Sequence, residues 1–376
     1  MKIKNSPRYL SLDVLRGLTV VLMIIVNTPG NWGTVYGPFL HAPWHGFTPT
    51  DWVFPTFLFV VGNAMSFALR KYESEGDSVF LGKIFKRTAI IFFIGFLLNC
   101  FPFYQVSESG AISFIDLSKE RILGVLQRIA LCYCIASLAI HYLKVKGSVI
   151  LSIVFLLGYW AVLYFFGDQP DPYSLQGNAA LKLDLMLLGP NHLYKGEGIP
   201  FDPEGILSTF PAAVNVIFGY LVGLYIQKKG NTKGTILNLI LGGVVLIAVS
   251  LIWHMGFPIN KKIWTSSYVL FSVGTDMIVL SVLMYLIEIV QVKKWTYFFE
   301  VFGRNTLILY ILSGVVISIM HLIKINGVSL KGWLYESLFT SWLGDFNASI
   351  LFAIFYMLLI WFIGYIMDKR KVYIKV

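Results

Sequence analysis

The 376-residue chain is 57% hydrophobic and only 13% charged, with a mean hydropathy of +0.72. Those values exclude an ordinary soluble domain and place the chain in the membrane class. The net charge of +10 would suggest nucleic-acid binding in a soluble protein. Here the basic residues fall between apolar segments, where the membrane topology rule accounts for them, and no nucleic-acid partner is expected.

A helix needs about 20 apolar residues to cross the hydrocarbon core. Ten stretches qualify in chain order: 11–29, 51–70, 84–103, 122–143, 148–166, 207–227, 235–255, 264–289, 305–323 and 348–367. The N-terminal run resembles a signal peptide only superficially. Asp13 and Arg16 stand at its head and no small-x-small cleavage site follows, so it is read as a retained first span. Residues 295–303, "WTYFFEVFG", read as an interfacial run leading into the ninth span. Residues 333–343 are too short to cross and read as a surface segment.

Basic residues set the orientation. With the N-terminus in the cytoplasm, one side collects 20 of them, including Lys2, Lys4, Arg8, Arg70, Lys71, Lys86, Lys228, Lys293 and Lys375, while the other side collects 8. The expected fold is an all-α, polytopic membrane bundle of about ten transmembrane helices with both termini cytoplasmic. It forms a single domain over residues 1–376, with an outer-side loop at 167–206. Cys100, Cys132 and Cys134 lie in apolar segments without disulfide or metal spacing and read as buried apolar residues.

Ionisable groups inside a bilayer are costly, so each needs an account. Asp13 and Arg16 are three apart on one helix face. They read as a local ion pair, or Arg16 contacts an anionic ligand arriving from the cytoplasm. Arg128, early in the fourth span, either snorkels to the surface or meets a carboxylate or ligand within the bundle. Asp276, in mid-span, calls for a partner or a wet cavity.

The outer stretch 39–55, "FLHAPWHGFTPTDWVFP", contains no Lys or Arg. His41 and His45 are four apart, but Pro43, Gly46 and Pro49 argue against a regular helix, and no metal site is expected. A single histidine acting as general base is the chemically sharper alternative. Thr50 or Asp51 caps the second span, or Asp51 orients a histidine. Asn27 closes the first span or donates a hydrogen bond to an oxyanion. Asp202 and Glu204, in "KGEGIPFDPEGILSTFP", cap the sixth span or receive a cationic amine.

The segments "SLDVLRGLTVVLMIIVN", "LHAPWHGFTPTDWVFPTFLFVVG", "RILGVLQRIAL", "FDPEGILSTFPAAVNVIFGYLVG", "PINKKIWTSSYVL" and "GRNTLILYIL" together resemble the heparan-α-glucosaminide N-acetyltransferase family and its bacterial relatives. The resemblance covers most of the chain. It implies transfer of an acetyl group from cytoplasmic acetyl-CoA to the amine of glucosamine or a terminal glucosaminide on the outer side. It also implies His41 as the active histidine and Asn27 as the asparagine at the end of the first span. His45 stands where some relatives have Asn, and it is grouped with Asp51, Asp202 and Glu204 as a contact for the sugar. Arg16 and Arg128 are the expected acetyl-CoA contacts, with the nucleotide among the cytoplasmic basic loops. The implied surroundings are the lipid bilayer of a bacterial inner membrane, with an amino-sugar acceptor and a homodimer. A transporter of amino sugars or glycan precursors, and a sugar O-acyltransferase, are the alternative classes.

Overall fold

The computed structural model describes residues 9–69, 76–106 and 112–374. Lys2, Lys4, Arg8, Arg70, Lys71 and Lys375, used in the orientation argument, lie outside the described residues. The helices are α1 (Leu10–Asn27), α2 (Pro49–Ala68), α3 (Asp77–Cys100), α4 (Val125–Leu138), α5 (Lys144–Phe166), α6 (Ala179–Leu187) and α7 (Thr209–Lys229). They continue as α8 (Lys233–His254), α9 (Ser266–Met284), α10 (Thr296–Arg304), α11 (Thr306–Leu322), α12 (Leu330–Tyr335) and α13 (Asp345–Lys369). Among the described residues two small antiparallel strand pairs interrupt them: β1 (Tyr104–Val106) with β2 (Ile112–Phe114), and β3 (Lys324–Ile325) with β4 (Val328–Ser329).

Each of the ten expected segments falls on a helix. By length and composition, seven helical runs among the described residues suffice to cross a membrane. The pair α10–α11, bent by 84°, makes eight if taken as one span. The difference has local causes. Residues 125–166 form one long helical run, although Lys144 enters the left-handed region at φ 56° and so breaks regular helix geometry. Helix α3 is long enough, but Lys83, Lys86 and Arg87 sit in its first half, which makes that part too polar for the hydrocarbon core.

The chain divides into two compact units. The first comprises Met1–Ala42, Thr48–Phe54 and Leu283–Lys375. Its α1 packs against α10 and α13. A Cβ on Gly17 would lie 1.9 Å from the Phe299 carbonyl oxygen, so only glycine allows the α1 and α10 backbones to touch. Val14, Leu15, Val301, Phe302 and Phe352 fill this core.

The second unit joins Pro43–Phe47 with Pro55–Val282. Here α7 packs on both α4 and α5. A Cβ on Gly62 would meet the Val216 carbonyl oxygen, and one on Gly219 the Phe59 carbonyl oxygen, each at 1.9 Å. Helix α7 is interior, with 72% of its most apolar stretch buried, against 28% for α8. The exposed apolar face of α8 is that of a lipid-facing helix. Inside the unit, Trp264 Nε1 donates to Asn215 Oδ1 at 3.1 Å and Asn215 Nδ2 donates to Ser272 Oγ at 3.1 Å. These three buried side chains are thus paired with one another, as an apolar interior requires. The expected outer loop carries α6 and packs Tyr173, Leu181, Leu193 and Phe201 around Phe257, so it is a folded cap.

Candidate active site

Local chemistry builds the turn before α2. Thr48 precedes Pro49 at the first helical position, where a missing N–H costs nothing. Thr48 N donates to Asp51 Oδ2 at 3.0 Å, and Asp51 N approaches Thr48 Oγ1 at 3.4 Å. This is a reciprocal capping box with Asp in the usual Glu position. Thr48 Oγ1 also reaches the Leu40 carbonyl oxygen at 2.7 Å, and Thr50 Oγ1 donates to Pro38 O at 3.1 Å. These bonds fasten residues 38–41 to the start of the helix.

The other oxygen of Asp51 lies 2.6 Å from His41 Nδ1. Ala42 N donates to Asp51 Oδ2 at 3.0 Å. The Asp51 side chain is 1% exposed and that of His41 41%. A buried carboxylate bonded to Nδ1 fixes the tautomer with the proton on Nδ1. Nε2 then carries the lone pair that a general base or a nucleophile uses. Capping and orienting, alternatives in the sequence, are both performed by Asp51. Asn27, the last residue of α1, is exposed on the same unit.

His45 belongs to the second unit and has a different environment. Asn260 Nδ2 donates to His45 Nδ1 at 3.3 Å, so the ring proton resides on Nε2. Surrounding protein desolvates the ring and lowers its pKa below the ordinary histidine value; Asp171 opposes this shift and His254 reinforces it. The segment around it is tied down by Gly46 N to Ile259 O at 2.8 Å and Trp44 Nε1 to Tyr173 O at 2.9 Å. Lys262 Nζ joins Pro43 O at 2.9 Å and Glu197 Oε2 at 2.6 Å.

The second unit also gathers Arg121, Asp202 and Glu204. Arg121 grips Asp202 side-on, Nε to Oδ2 at 2.9 Å and Nη2 to Oδ1 at 2.6 Å, and reaches Glu204 Oε2 at 2.5 Å. Its guanidinium also lies over the Tyr194 ring at 4.8 Å. Burial alone lowers the Arg121 pKa, but the Asp202 bond and the two carboxylate charges outweigh it and hold the pKa above its ordinary value. Burial likewise pushes Glu204 up, yet Arg121, Arg128 and Lys261 hold its carboxyl below the usual range. Both carboxylates already have a cation, so an incoming amine meets a paired cluster.

Arg128 is 1% exposed and does not snorkel. Its Nη2 donates to Gly205 O at 3.0 Å and to Ser208 Oγ, and its face lies over Trp264 at 4.9 Å. Its Nε and Nη1 are buried without a hydrogen-bond partner among the described residues. Arg16 takes the expected ion pair, Nη1 to Asp13 Oδ1 at 3.4 Å, and adds Gly303 O at 3.2 Å. Asp276 Oδ1 accepts from Thr56 Oγ1 at 2.6 Å. Among the described residues, no three His, Cys, Asp or Glu side chains converge as a metal site.

Three contributors were not singled out by sequence reasoning. The threonine of the capping box, Thr48, is signalled by the spacing Thr-x-x-Asp. Arg121 and Asp184 carry no comparable local signal, because their partners are remote in the chain. Asp184 is 1% exposed and its Oδ1 accepts from Ile206 N at 2.9 Å.

The sequence model of the family described as "Heparan-alpha-glucosaminide N-acetyltransferase, catalytic" matches residues 8–242. Heparan-alpha-glucosaminide N-acetyltransferase of Homo sapiens is 28% identical over 358 residues, covering 81% of this chain and 52% of that protein. The protein of the same name from Mus musculus is 29% identical over 364 residues, covering 82% and 53%. The chain thus spans about half the length of these relatives.

Proposed function

Because the chain belongs to the heparan-α-glucosaminide N-acetyltransferase catalytic family, we propose that it is a transmembrane N-acetyltransferase in which His41 drives acetyl transfer. The observation that carries this reading is the 2.6 Å contact between His41 Nδ1 and the buried Asp51 carboxylate. The donor is acetyl-CoA and the acceptor is the amine of glucosamine or a terminal glucosaminide.

The amine must be uncharged, because an ammonium has no lone pair. Its nitrogen attacks the thioester carbonyl carbon while His41 Nε2 takes one N–H proton. The C–N bond forms, the C–S bond breaks, and the electron pair leaves on sulfur. The proton held by His41 passes to the departing thiolate, giving an N-acetyl amine and free CoA. Asp51 keeps Nδ1 protonated and stabilises the imidazolium between those steps. Asn27 donates to the developing oxyanion. In a two-step variant His41 Nε2 carries the acetyl group itself before the amine receives it.

The orientation places both termini and acetyl-CoA in the cytoplasm, with ten crossings and the acceptor outside. The excess of basic residues on one side supports it. Arg16 and Arg128 serve the anionic donor. Asp202, Glu204 and His45 face the acceptor side, with Arg121 holding the two carboxylates in place.

The test uses protein reconstituted in vesicles, labelled acetyl-CoA on one side and glucosamine on the other. Acetylation at nitrogen that requires CoA and disappears in His41→Ala supports the reading. Wild-type rates in His41→Ala overturn it. Acetyl on a hydroxyl identifies an O-acyltransferase, and net sugar movement without CoA identifies a transporter.

A further inference from the structure

Three basic side chains come together in the first unit at the C-terminal end of α11. His321 is in the last turn of that helix, and Lys324 opens β3. Asn326 and Gly327, at φ 51° and 84°, make the two-residue turn to β4. Both occupy the left-handed region, as a tight hairpin needs. The strands pair Lys324 with Ser329 and Ile325 with Val328. Leu330 N donates to Ile323 O at 2.8 Å, and Ser329 Oγ accepts from Gly332 N at 3.1 Å to start α12. The hairpin thereby returns Lys331 to the end of α11. Lys324 and Lys331 both lie close enough to His321 for their charges to act on its ring.

Among the described residues none of these three side chains forms an ion pair. Lys119, Lys182 and Lys262, by contrast, each hold a carboxylate. Lys331 Nζ lies over the Phe352 ring at 5.7 Å, and burial lowers its pKa below the ordinary lysine value. Like charges gathered without a counter-ion repel one another. The same segment is apolar elsewhere: Leu322, Ile323, Val328 and Trp333 are all exposed. Helix α11 has 17 residues and is about 25 Å long at 1.5 Å per residue. A crossing α11 therefore brings this end to the edge of a hydrocarbon core about 30 Å thick. An exposed tryptophan at that level is an interfacial anchor.

We infer that this corner binds an anionic phospholipid, with Lys324 and Lys331 holding the headgroup phosphate beside His321 and with Leu322, Ile323 and Trp333 against the acyl chains. Two features together select that kind of molecule. Lysines without a counter-charge call for an anion, and exposed apolar side chains in the same segment call for a hydrocarbon tail. A phospholipid carries both, whereas a soluble acidic glycan would leave the apolar side chains in water. The inference does not depend on the acetyl-transfer reading of His41.

The experiment is native mass spectrometry of the full chain in detergent. The protein is titrated with phosphatidylglycerol and, separately, with phosphatidylcholine, whose phosphate is offset by its own ammonium. Wild-type protein binds phosphatidylglycerol about 25-fold more tightly than phosphatidylcholine, at about five-fold per lysine. Lys324→Gln and Lys331→Gln each weaken phosphatidylglycerol about five-fold and leave phosphatidylcholine unchanged. Lys331→Arg keeps the charge over Phe352 and keeps the affinity. Lys324 is exposed, so Lys324→Gln reads the site even where Lys331→Gln fails to fold. Unchanged phosphatidylglycerol affinity in Lys324→Gln overturns the inference, as do equal wild-type affinities for the two lipids. Displacement of the lipid by an equal concentration of inorganic phosphate also overturns it, because the site would then be one for a free anion. Tighter binding of a glucuronate disaccharide than of phosphatidylglycerol overturns it in favour of an acidic glycan.

Discussion

Asp51 holds His41 from ten residues away, its Oδ1 2.6 Å from the imidazole Nδ1, while its Oδ2 accepts the backbone N–H groups of Ala42 and Thr48. One buried carboxylate thus fixes three things: the ring's tautomer, the path of the loop and the start of α2. The backbone donors hold it in place, and immobility is what an orienting group requires.

Replacing Asp51 by Asn preserves shape but presents an amide to the histidine. The tautomer is then no longer fixed, and kcat falls about 10²–10⁴-fold. KM for acetyl-CoA changes by less than about three-fold, because the substitution leaves donor binding alone. Steady-state kinetics on reconstituted protein separate the two parameters. Equal loss in KM would mean that Asp51 acts by shaping the donor site.

Thr48 tests the structural half of that arrangement. Thr48→Ala removes the cap hydroxyl and costs about 1 kcal/mol of stability, whereas Thr48→Ser retains it. Unfolding in detergent reads the difference. Similar behaviour of both variants would show that the cap contributes nothing beyond the backbone bond.

The helices were legible because apolar runs of membrane length need no tertiary information. Capping of α2 by Asp51 was legible as one of two alternatives, but its partner Thr48, three residues earlier, was passed over for Thr50. The number of crossings was less so. It turns on a left-handed Lys144 and on the 84° bend between α10 and α11, and no composition window reports a backbone angle. The site beyond residues 39–55 was hidden for another reason. Arg121 meets Asp202 and Glu204 across 81 and 83 residues. Sequence placed those two carboxylates near the start of α7 but had no means of finding the cation already bound to them. Local pattern does not separate His41 from His45; the family resemblance does. Their difference arises from Asp51 on one ring and Asn260 on the other.

Arg121→Gln leaves Asp202 and Glu204 buried without their fork. Breaking a buried pair on one side costs about 3 kcal/mol. Arg121→Lys recovers only part of this, because an ammonium cannot reproduce the side-on grip on Asp202. Denaturation in detergent gives the order wild type, Lys, Gln. Equal stability of Lys and wild type would reduce the role of Arg121 to charge alone.

Gly219→Ala places a methyl 1.9 Å from the Phe59 carbonyl oxygen, and the α2 and α7 backbones must separate. The expected loss is about 1–3 kcal/mol. Gly158→Ala in α5 is the control. Nothing lies within 4 Å of the new carbon, so helix propensity makes it neutral or stabilising by about 0.5–1 kcal/mol. Paired melting curves decide, and comparable effects at both positions would refute close packing as the cause.

Asp184 supplies the pH dependence. Burial raises its pKa, and with the nearby Asp202 charge it outweighs the opposing Ile206 N–H bond and Arg128, leaving a value of about 7. The unfolded value is about 3.9. A carboxyl whose folded pKa is raised binds its proton more tightly when folded. Its stabilising contribution is therefore complete below about pH 4 and is lost as pH rises towards 7. The full swing is about 4 kcal/mol as an upper estimate. In Asp184→Asn the amide oxygen still accepts from Ile206 N but nothing titrates. Wild-type stability, measured by denaturant unfolding in detergent and taken relative to that variant, falls between pH 4 and 7 and levels above about pH 8. Subtracting the variant cancels other groups, including Glu204, whose depressed pKa loses stability in the opposite direction as pH falls. A difference that stays constant across this range would mean that Asp184 is ionised throughout, with Arg128 rather than a proton as its counter-charge.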